Sequence, residues 1–254
     1  MKITTFNLRV ATHYDGMNYF FHRVGTILRK IEAELPDVIG FQECAPDMFD
    51  FLSAHLNGYQ LVGCGRGEQY DGEHNPVAFR TDKYELIGLS TEWLSPTPQI
   101  PGSRYPEQSD CPRIVTCLTL LDRTTAKPFY VWNTHLDHIS DLARVLGARQ
   151  VCRLLKDQLE KRDLPVALLG DFNAEPDSEP LKVFLEESGL GLIDRTAGIP
   201  CTFHAFGQRD WQHIDYILTR GFDMEGAPEL WTDEDSGLYL SDHYPITVFL
   251  NREK

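Results

Sequence analysis

The sequence predicts an α/β fold in which two mixed β-sheets stack face to face and carry helices on their outer sides. Three observations lead there. Short apolar runs of strand length alternate with segments whose apolar residues recur every three to four positions. Several strands follow one another with no helix between them, which disfavours a purely parallel, doubly wound sheet. No composition shift, Gly/Ser-rich linker or fixed-period repeat divides the chain, so residues 1–254 read as one domain.

The elements follow in order. Residues 3–6 form a first strand. Val24, Ile27, Leu28, Ile31 and Leu35 fall on one helical face, so the spacing predicts a helix over about 22–35 that stops near Pro36. Residues 38–41 are a buried strand, and a second helix covers about 46–56, ending before Asn57-Gly58. Strands follow near 59–63, 76–80 and 85–94. The Pro- and Gly-containing stretch from about 95 to 112 is long for a loop in a compact domain, and such loops are usually functional or mobile. A polar turn at 122–127 joins strands near 113–122 and 128–134. Leu142, Val145, Leu146, Val151, Leu154, Leu155 and Leu159 mark a long helix on about 140–161. Residues 165–169 are a buried strand and a short helix sits on about 179–188. Strands near 213–218, 222–230 and 244–250 complete the chain.

Composition narrows the function classes. Hydrophobic residues are 42% and charged residues 24%, which excludes a disordered chain, a collagen-like chain and a disulfide-dense miniprotein. Lys plus Arg total 24 against 38 Asp plus Glu, a formal net charge of −14. A protein that wraps long nucleic acid carries the opposite sign, because its affinity comes from phosphate contacts. The acidic balance still allows a nucleotide or a nucleic-acid end at one local site, and it suits a site that collects divalent cations. No apolar stretch reaches the roughly 18 residues of a membrane span. The first residues, Met1 to Asn7, lack the apolar run of a signal peptide. Cys44, Cys64, Cys111, Cys117, Cys152 and Cys201 form no C-x-x-C pair, so reduced thiols in a cytoplasmic protein are expected rather than a zinc site.

The informative residues are acids, amides and histidines placed directly at the ends of apolar strands. Asn7 ends the first strand, Glu43 follows Phe41-Gln42, and His135 and Asp137 follow the strand ending at Thr134. Asp171 and Asn173 follow Leu168-Leu169-Gly170, Asp215 sits within His213-Ile214-Asp215-Tyr216-Ile217, and Asp242-His243 precede Tyr244-Pro245-Ile246. Strand ends hold side chains rigidly, and an ionised carboxylate is costly to bury there unless it is paired or binds metal. Each residue alone has a plainer reading. Asn7 can form a turn, Glu43 can cap the helix opening near Pro46, and His135 can be a satisfied structural histidine. Gly170-Asp171-Phe172-Asn173 can be a strand-to-helix loop. Ser241-Asp242-His243 makes a poor hydrolase triad, since adjacent residues on an extended chain point to opposite faces. The P-loop, dinucleotide-binding and H-E-x-x-H motifs are all absent from the sequence.

In order along the chain, T-F-N-L, F-Q-E-C, N-T-H-L-D, G-D-F-N, H-I-D-Y-I and S-D-H-Y-P-I resemble the endonuclease/exonuclease/phosphatase superfamily, from Asn7 to His243. G-D-F-N and S-D-H-x-P are specific in combination. The layout is similar to small bacterial members, and the segment from Asn75 to Leu86 looks like the poly(A)-removing branch. The resemblance implies a four-layer α-β-β-α sandwich of two mixed sheets flanked by helices. It also implies hydrolysis of phosphate esters with Mg²⁺ or Mn²⁺. By resemblance Glu43 is the principal metal ligand, with Asn7 and Asp242 nearby to bind the ion directly or through water. Asp171 orients or deprotonates the attacking water, and Asn173 bonds the phosphoryl oxygen or the nucleophile. His243 contacts the phosphate while Asp215 holds it, and His135 is a second phosphate donor. A carboxylate on one ring nitrogen fixes the tautomer and leaves the other nitrogen to present a proton, so the His243–Asp215 pairing makes physical sense. Arg113 matches an arginine near the active site, and Asn75 and Trp211 are further candidate substrate contacts.

The loops at about 12–20, 64–75, 95–112, 201–212 and 231–240 would read the rest of the substrate. They carry aromatics such as Tyr14, Tyr70, Phe203, Trp211 and Trp231, which could stack on a base or sugar or simply pack the loops. They also carry many acids, with Arg66, Arg104 and Arg209 interspersed rather than clustered. A duplex-DNA enzyme should show a basic rim instead. The expected substrate is therefore a small or single-stranded phosphate ester, a nucleotide or single-stranded nucleic-acid end included. A DNA repair or 3′-end exonuclease is the alternative among enzymes. A non-catalytic phosphate-binding module is the alternative outside them, disfavoured because every polar position of the series is present.

Overall fold

The structure, a computed structural model, describes residues 1–208 and 212–252. The first sheet contains β1 (Lys2–Asn7), β2 (Val38–Gln42), β3 (Tyr59–Val62), β4 (Val77–Arg80), β11 (Phe222–Leu230) and β14 (Ile246–Arg252), in the order β11-β14-β1-β2-β4-β3. The second contains β5 (Tyr84–Trp93), β6 (Ile114–Asp122), β7 (Pro128–His135), β8 (Val166–Asp171), β9 (Ile193–Asp194) and β10 (Asp215–Arg220), in the order β5-β6-β7-β8-β10-β9. A small ribbon pairs β12 (Glu234–Asp235) with β13 (Leu238–Tyr239).

Each large sheet is antiparallel except for one central pair. β1 runs parallel to β2, and β7 runs parallel to β8. Parallel neighbours need a long crossover. Here α1 (Phe20–Glu34) supplies it for the first pair and α3 (Asp141–Lys161) for the second. These are the segments that the 3.6-residue periodicity marks as helices.

Three apolar layers separate four layers of structure. Phe20, Val24, Ile27 and Ile31 of α1 and Met48 and Leu52 of α2 (Pro46–His55) pack on Ile39 and Phe41 of β2. Ile3, Val38, Val131, Leu169, Ile217 and Val248 fill the space between the sheets. Val151 and Leu155 of α3 and Leu181 of α4 (Glu179–Lys182) pack on Trp132, Val166 and Leu168. Alternate residues of β7 and β8 point to opposite sides, so these strands are buried on both faces and read as continuous apolar runs. This is the expected sandwich of two mixed sheets between helices.

The departures are local. The strand expected from His213 begins at Asp215, and the N–H groups of Ile214 and Asp215 are both taken by Thr202 Oγ1 (3.0 and 3.1 Å). The helix expected over 179–188 is α4 followed by a π-type turn, Val183–Glu187. A short 3-10 stretch, His13–Asn18, lies where a loop was expected. The long 95–112 loop is tied down: Tyr105 Oη donates to Gln150 on α3 (2.7 Å), and the Ser109 hydroxyl donates to Asp137. Among the described residues no helix is long and apolar enough to cross a membrane.

Candidate active site

The two parallel pairs end on the same side of the molecule, and a crevice outside the carboxyl ends of parallel strands is where α/β sheets place ligands. Asn7 is the last residue of β1 and pairs with Gln42, so Glu43 follows directly at the end of β2. In the second sheet His135, the last residue of β7, lies opposite Asp171, the last of β8, and Asp171 lies opposite Asp215, the first of β10. Asp242 and His243 arrive on the segment before β14. A cleft of about 390 Å³ opens here, lined by Arg9, Glu43, Arg113, His135, Asp171, Asn173, Asp242 and His243, with Arg66, Glu73, His138 and Phe203 on its walls.

The sheets are locked together just beneath this cleft. Gln42 donates to Asn133 Oδ1 (2.7 Å), and Asn133 donates to the carbonyls of Phe41 (2.7 Å) and Pro76 (3.0 Å). Gly40 is needed at this crossing, since a Cβ there would lie 2.8 Å from Leu169 Cδ1 and 3.0 Å from Asn133 Cγ.

Asn7 is the hub of the floor. Its amide donates to Glu43 Oε1 (3.1 Å) and to Asp171 Oδ2 (2.9 Å), which links the two sheets' carboxylates through one side chain. The Val10 N–H holds the other Glu43 oxygen (2.9 Å), and the Asn173 N–H holds Asp171 Oδ1 (2.9 Å). His243 Nδ1 donates to Asp215 Oδ2 (2.8 Å), which leaves Nε2 facing Asp171 Oδ2 at 3.9 Å and Asp242 Oδ1 at 4.0 Å. Glu43 and Asn173 both adopt left-handed backbone (φ 57° and 48°), a strained choice for non-glycine residues that concentrates at functional sites.

The electrostatics follow from burial. Desolvation and the nearby Asp215 charge push Asp171 up to about 7, against the opposing pull of His243. Desolvation also raises Asp242. Burial alone would raise Glu43, but the His243 charge and the Val10 and Asn7 hydrogen bonds outweigh it and its pKa falls. Burial alone would lower His243, yet Asp215 outweighs it and lifts it to about 10. Ligand atoms of Glu43, Asp171 and His243 lie within 4.8 Å of one another, with Asn7 and Asp242 beside them. Oxygen donors held at this spacing fit a hard divalent ion.

Most of the sequence-derived residues therefore meet. Asn173 Nδ2 donates to His135 Nε2 (2.9 Å) and to the Leu136 carbonyl (3.1 Å), so Nε2 accepts and the proton of a neutral ring lies on Nδ1. Burial and the Arg113 charge hold His135 well below the usual histidine range, consistent with a neutral ring. Asn75 stands behind the cleft rather than in it. It is buried and its amide donates to the Ile114 carbonyl (3.1 Å). Trp211 lies outside the described residues. Asp137 is a structural acid, accepting from the N–H groups of Ile139 (3.0 Å) and Ser140 (2.7 Å) at the start of α3.

Sequence reasoning missed Arg9, Glu73 and His138 as wall residues. Arg9 holds Asp15 through two N–H bonds (3.0 and 3.1 Å) and approaches Asp242 at 3.7 Å. Arg66 pairs with Glu73 at 2.8 Å. Arg9 and His138 lie just past the ends of β1 and β7, and tight turns in the 64–75 loop place Arg66 and Glu73.

The geometry agrees with comparisons to known proteins. A Bacteroides vulgatus endonuclease/exonuclease/phosphatase superposes with a TM-score of 0.91 at 30% identity, covering 99% of this chain and 98% of that one. A mannosyl-6-phosphatase of Bacteroides thetaiotaomicron superposes with a TM-score of 0.89 at 27% identity, covering 99% of both chains. An uncharacterized protein of Acanthamoeba polyphaga mimivirus is 28% identical over 186 residues, 69% of this chain and 68% of its own length. The sequence matches the model of the Endonuclease/Exonuclease/phosphatase family over residues 4–243, and the chain belongs to that family.

Proposed function

We propose that the protein is a divalent-metal-dependent hydrolase of small phosphate esters, a phosphodiesterase or phosphatase. One observation carries the reading: Glu43, Asp171 and His243, from three distant parts of the chain, bring ligand atoms within 4.8 Å of one another at the mouth of both sheets. Glu43, with Asn7 and Asp242, would hold Mg²⁺ or Mn²⁺, ions that favour oxygen donors. When bound, such an ion neutralises phosphoryl oxygens and the charge that develops on them.

The chain's own residues do the rest. Asp171, raised to about 7, is suited to accept the proton of an attacking water near neutral pH. The Asn7 amide and the Asn173 N–H fix its two oxygens and so its aim. His243, kept charged and oriented by Asp215, presents its Nε2 proton to a phosphoryl oxygen. Asn173 and His135 brace each other behind Asp171.

A small substrate is favoured by the modest cleft and the net charge of −14. The likeness to a named mannosyl-6-phosphatase supports a small polar ester as well. Six free cysteines support a reducing compartment, the cytoplasm. The test is hydrolysis of p-nitrophenyl phosphate and bis-p-nitrophenyl phosphate with Mg²⁺ or Mn²⁺. Turnover should vanish with chelator, and Asp171→Ala or His243→Ala should lower kcat by about 10²–10⁴-fold. Unchanged turnover in both variants contradicts the reading. Salt-sensitive cleavage of nicked duplex DNA in preference to these esters would favour a repair nuclease, and phosphate affinity without turnover a binding module.

A further inference from the structure

Thr202 is fully buried, one residue before Phe203, which lines the cleft. Its hydroxyl oxygen accepts from the N–H groups of Ile214 (3.0 Å) and Asp215 (3.1 Å), and it donates over a longer distance to the Gln212 carbonyl (3.4 Å). A hydroxyl has one proton and two lone pairs, so all its bonding capacity is used. The Thr202 carbonyl accepts the N–H of Tyr244 (2.6 Å), the residue after His243. One residue thus grips the chain at Asp215 through its side chain and beside His243 through its backbone. The neighbours extend the arrangement. The N–H groups of Thr202 and Phe203 both donate to the Gln212 carbonyl (2.8 and 2.9 Å), and the His204 N–H donates to the Asp242 carbonyl (2.9 Å). Residues 202–204 therefore run between the segment entering β10 and the segment entering β14, bonded to both.

Asp215 depends on this bridge. β9 pairs only with Leu218 and Thr219, so on that side β10 has no strand beside Asp215. The Asp215 carboxylate accepts from His243 Nδ1 at Oδ2 (2.8 Å), while Oδ1 has no partner among the described residues. Among those residues no third side chain aims the carboxylate. Its direction comes from the backbone at 215, where Thr202 holds the N–H.

We infer that Thr202 is a positioning residue whose hydroxyl sets Asp215 against His243, and so sets the aim of the His243 Nε2 proton. The catalytic consequence rests on the phosphoester-hydrolase reading above; the placement of the pair does not. The experiment therefore has two arms. The first reads placement without turnover, from hydrogen exchange at the Ile214 and Asp215 amides and from the NMR signal of the His243 Nδ1 proton, identified by its loss in Asp215→Ala. Both amides should exchange slowly in the wild type. Thr202→Val keeps the shape and removes the hydroxyl; it should speed exchange at both amides and shift or broaden the His243 signal. Thr202→Ser should match the wild type. Thr202→Ala, which leaves room for water at the two N–H groups, takes the place of Thr202→Val if that variant does not fold. The second arm measures kcat and KM for p-nitrophenyl phosphate with Mn²⁺. Thr202→Val should lower kcat by about 10–100-fold and leave KM within about threefold, with most of kcat kept in Thr202→Ser. In an Asp215→Ala background the same substitution should cost less than about threefold, because the group it acts through is gone. Fast exchange of the two amides in the wild type overturns the assignment, and that result needs no variant to fold. So does an equal loss of kcat from Thr202→Val with and without Asp215, or an unchanged His243 signal in Thr202→Val. A wild type that hydrolyses no phosphate ester fails the hydrolase reading, and the first arm then decides the role of Thr202 alone.

Discussion

Asp171 is buried between a neighbouring acid, Asp215, and a cation, His243, and its burial as a charge costs stability. Asp171→Asn keeps the shape and removes the desolvated charge. In chelator it should raise Tm by a few degrees, a shift of about 1 kcal/mol, while kcat falls by about 10²–10⁴-fold. Thermal melts paired with rate measurements check this, and a markedly lower Tm would contradict it. The acids and histidines of the floor were legible because the apolar runs before them mark strand ends. Arg9, Glu73 and His138 were not, because loop geometry rather than periodicity brings them to the cleft. Asn75 shows the converse: the sequence offers it as a substrate contact, yet its amide serves the Ile114 carbonyl behind the wall. The left-handed backbone at Glu43 and Asn173 has no signature in residue identity alone.

At the scale of elements, α1 does more than cross between parallel strands. Its buried face includes Phe20, Arg23, Val24, Ile27 and Ile31, so a fully buried arginine sits on the apolar stripe. Arg23 donates to the carbonyls of Leu8 (3.0 Å), Asn18 (2.5 Å) and Leu240, and so pins the loop after β1 to the segment leading to Asp242. Burial lowers it to about 10. The signal was present in the helical spacing, where position 23 falls on the core side. Arg23→Leu should destabilise by about 3–5 kcal/mol, because the orphaned carbonyls stay buried. A loss below 1 kcal/mol in urea denaturation would contradict this. The G-D-F-N glycine has a similar physical reason. A Cβ on Gly170 would lie 2.2 Å from the Thr134 carbonyl oxygen, where β7 and β8 run side by side into the site. Gly170→Ala should therefore cost about 2 kcal/mol or more and lower kcat, measured by the same denaturation and rate assays. The strands of the sandwich were legible as apolar runs, but the short β9, β12 and β13 were not, since two residues carry no periodicity.

Across the whole molecule, two sheets of matching design place one parallel pair each against a shared seam, and the Gln42–Asn133 contact closes it. The mixed-sheet sandwich was legible; which strand ends would face one another across the seam was not, because pairing order is a long-range property. Several histidines are buried as neutral rings. His204 stacks on Tyr244 with ring centroids 3.9 Å apart and accepts the Gly207 N–H at Nδ1 (3.1 Å). Burial pushes it down to about 4, and burial also lowers His74. The unfolded chain protonates such rings below about 6.5, so this contribution is full above that pH and is lost as pH falls toward 4. The urea midpoint should drop between pH 7 and pH 5, and drop less in His204→Gln; an equal drop in both would contradict the assignment.

The proposed divalent-ion pocket for P–O cleavage draws its side chains from both sheets. Phosphate-ester hydrolysis by chelator-stripped protein, titrated with Mn²⁺ in the wild type and Glu43→Gln, tests it most directly. No turnover is expected without metal, with saturable recovery in the wild type and a midpoint at least about tenfold higher in Glu43→Gln. Full turnover by the stripped protein, or the same midpoint in both, would contradict it.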